Sequence, residues 1–216
     1  MAVYSELFQK LQIPHAFGGV GERPSTRARY IKQVHGAKSL CIDHDFAFDS
    51  EGDGVFSYGK NICAVKTADC VPILVAHQDL SFFAAIHAGW RGICLEVIPH
   101  FLEKISPETR AKCVFAIGPC ISWEYFEVGP EVVAQFFEQK YFFDKEDSWL
   151  KHGLSDRAFI DLKKCSFLQL TQSGIESCNI DVIPACTYSD RQFYSYRRDK
   201  NQFTEQVLSN WSWVGP

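Results

Sequence analysis

The chain has no C-x-x-C pair, no long run of Lys and Arg, no internal repeat, and no apolar stretch long enough to cross a bilayer. Each absence removes a class of protein. Without C-x-x-C spacing, a structural zinc knuckle is not expected. Without a basic stripe, and with a net charge of −4 and a pI near 6.0, nucleic acid is not expected as a partner, because neutralising phosphates needs clustered cations. No membrane span is expected. The start, MAVYSELFQKLQIPHAF, has neither a basic segment nor a continuous apolar core, so no signal peptide is expected.

What is present reads as one folded unit over residues 1–216. The length suits a sizeable core. Hydrophobic residues make up 46% and charged residues 22%, ordinary for a globular chain. Methionine occurs once and Phe 18 times, which predicts an aromatic-rich core. The nine cysteines (41, 63, 70, 94, 113, 120, 165, 178 and 186) are odd in number and sit mostly in apolar runs. They read as free, buried thiols in a reducing compartment, and so as a cytoplasmic protein. Oligomeric state is not legible.

Short β-branched or aromatic stretches at 39–42, 54–58, 62–66, 71–76, 82–87 and 113–117 predict strands, with 77–81 as a hairpin connection. Helical periodicity appears at 93–105, where Pro99 signals a kink or a later start. It recurs at 130–143, opened by Pro130, and at 161–174, closed by Gly174. A last strand is expected at 181–184. The order predicts an α+β fold: a layered sandwich of mixed sheets flanked by helices.

Three segments place a reactive side chain beside small residues at an apolar strand: Lys32-Gln33-Val34-His35-Gly36, Thr67-Ala68-Asp69-Cys70-Val71-Pro72, and Ala85-Ile86-His87-Ala88-Gly89-Trp90-Arg91-Gly92. Imidazole and thiolate are the usual zinc donors, and two His with one Cys leave a coordination position open, as catalytic sites do. A water there has its pKa lowered to about 7. Each donor also has a structural alternative. Cys70 can be an inert core thiol, His87 a core histidine bonded to a carbonyl, and His35 a loop residue. His15, His44, His77, His100 and His152 are read as structural. Asp69 either points away from the site or orients a histidine. Arg91 either binds an anion or caps the next helix. Arg197 and Arg198 are candidates for a phosphate-bearing small molecule, and on a strand only one of them can face inward. Cys120, in a rigid Gly-Pro turn, is read as a packed thiol.

Taken together, QVHG at 33–36, TADCVPIL at 67–74, AAIHAGWRGI at 84–93, IGPCIS at 117–122, YFEVG at 125–129 and YSYRRD at 194–199 resemble one family. It is the zinc-dependent purine nucleoside phosphorylase and adenosine deaminase family, formerly called multicopper polyphenol oxidase or laccase-domain proteins, which includes the peptidoglycan editing factor. The resemblance implies that His35, Cys70 and His87 hold zinc (Zn2+), with copper the less expected metal. It implies a fold similar to Cys-His toxin deamidases. It also implies phosphorolysis of adenosine, inosine, guanosine and methylthioadenosine, with deamination of adenosine to inosine. The partners would then be a small-molecule purine nucleoside and phosphate, with Arg91, Arg197 and Arg198 as substrate-binding candidates and the three donors as the catalytic set. Two departures, a short N-terminal region and Lys200 to Phe203 where the family has glycines, fall where a pocket is framed rather than at the donors.

Three other functions remain. Cys70 can be a nucleophile with His87 as base, in a hydrolase of cell-wall (peptidoglycan) precursors. The chain can be a copper-dependent polyphenol oxidase, although seven His are few for multicopper chemistry. It can also be a binding protein that retains the fold without turnover.

Overall fold

The computed structural model describes all residues except 44–46, 48, 60 and 203–207. His44 and Phe203, both weighed above, lie outside the described residues. In chain order the strands are β1 (His15–Phe17), β2 (Ser39–Cys41), β3 (Gly54–Ser57), β4 (Cys63–Thr67), β5 (Val71–His77), β6 (Phe83–Ala88), β7 (Cys113–Ile117), β8 (Glu127–Val128), β9 (Leu150–His152), β10 (Ala158–Ile160), β11 (Ile180–Val182) and β12 (Asn210–Val214). The helices are α1 (Glu6–Lys10), α2 (Trp90–Cys94), α3 (Val97–Leu102), α4 (Pro107–Ala111), α5 (Pro130–Phe137), α6 (Glu146–Trp149), α7 (Leu162–Gln172) and α8 (Tyr196–Asp199).

A six-stranded sheet in the order β11-β7-β5-β6-β3-β2 carries the molecule. It is mixed: β2–β3 and β7–β11 pair parallel, and the pairs between them are antiparallel. Both faces are covered, which explains why β5 reads as an unbroken apolar run instead of an alternating one. Val71, Ile73 and Val75 face a core built with Ile93, Val97, Phe101, Cys165 and Leu168 of the helices. Leu74 and Ala76 face a second core with Phe17, Cys63, Val65 and Val214. Those last residues belong to a three-stranded sheet, β1-β12-β4, laid on the other face. A small sheet, β8-β10-β9, completes the layers. The expected layered α+β fold with mixed sheets is therefore observed.

The six strands expected between residues 39 and 117 all form. The β5–β6 hairpin closes by the His77 amide donating to the Phe82 carbonyl at 2.9 Å, with Leu80 in the left-handed region at φ 65°. The stretch expected to be helical at 93–105, with Pro99 marking a kink or a later start, is two helices. Glu96 takes a left-handed φ of 57° and separates α2 from α3. Pro99 sits in the first turn of α3, where its missing N–H removes a donor that has no partner in any helix. The α5 helix stops at Phe137, short of 143, and a 3-10 turn at Phe143–Lys145 follows. In α7 the Asp161 carboxylate accepts from the Lys164 amide at 2.9 Å as N-cap, and Gly174 has φ 90° just past the end. The last expected strand is shifted to Ile180–Val182. Among the described residues, no helix is long and apolar enough to cross a membrane.

Candidate metal centre

The β5–β6 register sets Val71 opposite Ala88 and Pro72 opposite His87. Cys70, one residue before β5, therefore sits beside the end of β6 that carries His87. His35 arrives from the loop before β2, with a left-handed φ of 58°. The potential ligand atoms of His35, Cys70 and His87 all lie within 4.8 Å of one another. The two imidazoles meet edge to face, with centroids 4.8 Å apart. Gly89 makes this closeness possible: a Cβ there would stand 2.9 Å from Cys70 Sγ and 3.1 Å from His35 Cδ2.

Asp53 organises the cluster, and the sequence reading missed it. Its carboxylate is fully buried. Oδ1 is 2.7 Å from His87 Nδ1 and accepts from the His35 amide at 2.9 Å, while Oδ2 accepts from the Gly36 amide at 2.6 Å. One side chain thus fixes the His87 ring and the loop that presents His35. With Nδ1 engaged, Nε2 of His87 is the nitrogen left to face the cluster, the carboxylate–histidine arrangement of metal sites. The signal in the sequence was weak: an Asp between two glycines just before a strand reads as an ordinary turn. Gln33 pins the same loop to β4, donating to the Lys66 carbonyl at 2.6 Å and accepting from its amide at 2.8 Å.

Charge follows from this geometry. Burial alone would raise the Cys70 thiol and lower His87. The two neighbours outweigh burial. His87 and His35 bring Cys70 down to about 6, and Cys70 with Asp53 brings His87 up to about 9. Asp53 is held below the usual carboxylate range against its own burial, chiefly by the His87 bond and the Gly36 amide. Without a metal, each group therefore favours the charged form of the other, thiolate beside imidazolium. A thiolate and two imidazoles suit one soft or borderline divalent ion, and three protein donors leave room for solvent or substrate.

The cluster lies in a cavity of about 540 Å3, within the size range of small-molecule sites. Trp90, Phe126 and Tyr196 supply aromatic surface, and Lys66, Arg91 and Arg197 supply positive charge. Arg91 stacks its guanidinium over Trp90 at 4.3 Å. Arg197 and Arg198 are on a helix, α8, and not on the strand assumed above. Arg197 lines the cavity and donates to the Tyr125 and Glu127 carbonyls, both at 3.1 Å. Arg198 points elsewhere: its donors go to the Thr187, Tyr188 and Phe193 carbonyls and to Asp199. It is a tie within the C-terminal segment. Asp69 hydrogen-bonds Thr187, Ser195 and Arg197 and neither histidine of the cluster. Cys120 is a fully buried thiol, as expected, and burial pushes it well up. His15 is also structural: its ring bonds the Ile13 carbonyl and the Ser5 amide.

Fold and site together define a layered α+β protein with a His-Cys-His cluster, able to hold a metal, in a mid-sized cavity. The chain belongs to the family described as multi-copper polyphenol oxidoreductase laccase, which it matches over residues 18–210. It is 32% identical over 198 residues to purine nucleoside phosphorylase YfiH of Escherichia coli K12, covering 90% of this chain and 76% of that one. It is 32% identical over 180 residues to adenosine deaminase RL5 of an unknown prokaryotic organism, covering 77% and 68%. The fold of YlmD from Geobacillus stearothermophilus superposes with a TM-score of 0.76 at 26% identity, covering 89% of this chain and 74% of that one.

Proposed function

We propose that this chain is a zinc-dependent purine nucleoside enzyme that cleaves nucleosides with phosphate and deaminates adenosine. The observation that carries the reading is the convergence of His35, Cys70 and His87 within 4.8 Å of one another, in a cavity that combines aromatic surface with arginines. The relatives named for purine nucleoside phosphorolysis and adenosine deamination support the substrate class.

In this reading His35, Cys70 and His87 hold zinc, and Asp53 keeps the proton on His87 Nδ1 so that Nε2 stays a donor. The bound ion supplies Lewis-acid polarisation and a lowered water pKa. Trp90, Phe126 and Tyr196 offer faces on which a purine can stack. Arg91 and Arg197 present planar forks that match phosphate oxygens. Holding phosphate beneath ribose C1′ favours formation of the C–O bond as the C–N bond to the base breaks, with the base leaving with the electron pair. The test is zinc-loaded protein with adenosine and phosphate. Adenine with ribose 1-phosphate, or inosine, is expected, and their absence would refute the reading.

One observation favours a second reading. The Cys70–His87 pair, with Asp53 behind the imidazole, has the parts of a Cys-His-Asp nucleophile. Such an enzyme would hydrolyse an amide or ester, and metal would inhibit it. Chelation separates the two: activity is lost in the zinc reading and is spared or raised in the hydrolase reading. A multicopper oxidase is disfavoured because, among the described residues, one three-donor group is found.

A further inference from the structure

We infer that Asp69 is a positioning residue, one that fixes the Arg197 wall of the cavity to the strand end bearing Cys70. The inference deepens the nucleoside reading and rests on it for the identity of the anion.

Asp69 immediately precedes Cys70 and is buried, with a left-handed φ of 87°. A non-glycine residue keeps such a backbone only where its surroundings over-determine it. Here they do. Oδ1 accepts from the Thr187 hydroxyl at 2.6 Å. Oδ2 accepts from the Arg197 amide at 2.7 Å and the Ser195 hydroxyl at 3.1 Å. The Asp69 carbonyl accepts from the Ile121 amide at 3.1 Å. Three residues more than a hundred positions from Asp69 in the chain are therefore gathered on its carboxylate.

The consequence concerns Arg197. Its backbone is held by Asp69, and two of its five N–H donors are held by the Tyr125 and Glu127 carbonyls. Its guanidinium lies over Phe126 at 5.4 Å and lines the cavity. A long flexible side chain fixed at both ends loses little freedom when it takes an anion, which is what preorganisation requires. Because Asp69 and Cys70 are joined by one peptide bond, the anion holder and the metal donor share a single anchor.

The test uses zinc-loaded, full-length protein with Asp69→Ala, Asp69→Asn and Thr187→Val. Three quantities are read: KM for inorganic phosphate, zinc content, and amide hydrogen exchange of the peptide spanning residues 187–199. Asp69→Ala should raise the KM for phosphate at least tenfold and speed exchange in that peptide, with zinc still near one per chain. Asp69→Asn keeps an acceptor for the Arg197 amide and should recover most of both effects. Thr187→Val removes a single bond and should fall between, and it serves if Asp69→Ala does not fold. Unchanged exchange would overturn the proposal. So would faster exchange with an unchanged KM for phosphate, since Asp69 would then serve stability alone. If the unmutated protein neither binds nor uses phosphate, the phosphorolysis reading fails, and exchange alone then decides whether Asp69 fixes the wall.

Discussion

Cys70 has the character of an acid whose anion is favoured by its neighbours, and that gives the metal-free protein a pH signature. Its thiol is brought down to about 6, from a usual value near 9. Iodoacetamide labelling of Cys70 in chelator-treated protein should therefore rise through a midpoint near pH 6. Replacing His87 with Asn should move that midpoint upward by removing the main counter-charge. An unshifted midpoint in the unmutated protein, near that of an ordinary thiol, would disprove the ion pair. The linkage to stability has two opposed parts. The depressed Cys70 contributes stability above its usual value and loses it as pH falls through about 6. The raised His87 contributes below its usual 6.5 and loses it as pH rises through about 9. Between those limits the slopes cancel, so the pair makes little pH dependence across neutrality. At this scale the sequence singled out His35, Cys70 and His87, which the structure brings together, because His and Cys announce their chemistry. It hid Asp53, because a buried carboxylate and a turn carboxylate have the same letter.

The turn from β6 into α2 is the element on which the cluster depends most tightly. Gly89 serves as N-cap of α2 and leaves no room for a side chain beside Cys70 and His35. Its φ of −73° is ordinary, so the requirement is space and not backbone freedom. Gly89→Ala should fold, yet weaken metal binding by at least tenfold in a chelator competition, because Cβ must displace Sγ or the His35 ring. Affinity equal to that of the unmutated protein would show that the loop yields freely. Legibility at this scale follows burial. The central strands were evident because both faces are covered and their apolar runs are continuous. β12 was missed because its buried positions are Asn210, Ser212 and Val214 while Trp211 and Trp213 are partly exposed, which inverts the usual alternation. Asn210 is buried for a reason the one-dimensional pattern cannot carry: it exchanges two hydrogen bonds with the Tyr194 backbone, each at 2.8 Å. The break at Glu96 itself carries no Gly or Pro, and Pro99 three residues on was its mark in the sequence.

Across the whole molecule the three candidate donors come from a loop, a strand start and a strand end, and a metal bound by all three would link them through the central sheet. An ion that binds the folded state alone stabilises it by about 2.7 kcal/mol at a hundred times its dissociation constant. Zinc-loaded protein should therefore melt several degrees above chelated protein, and Cys70→Ala should abolish that difference. Identical melting of loaded and chelated protein would argue against a site held by all three segments.

By itself the sequence pointed to the residue types of the candidate metal cluster and to the layered α+β class. Those depend on residue type and local periodicity, which a chain carries in one dimension. The tertiary structure decided the rest: that Asp53 binds the His87 ring and the His35 loop, that Asp69 serves Arg197 and not a histidine, and that of two adjacent arginines only Arg197 reaches the cavity. These are relations between residues distant in the chain, set by strand register and by which face of a short helix packs inward.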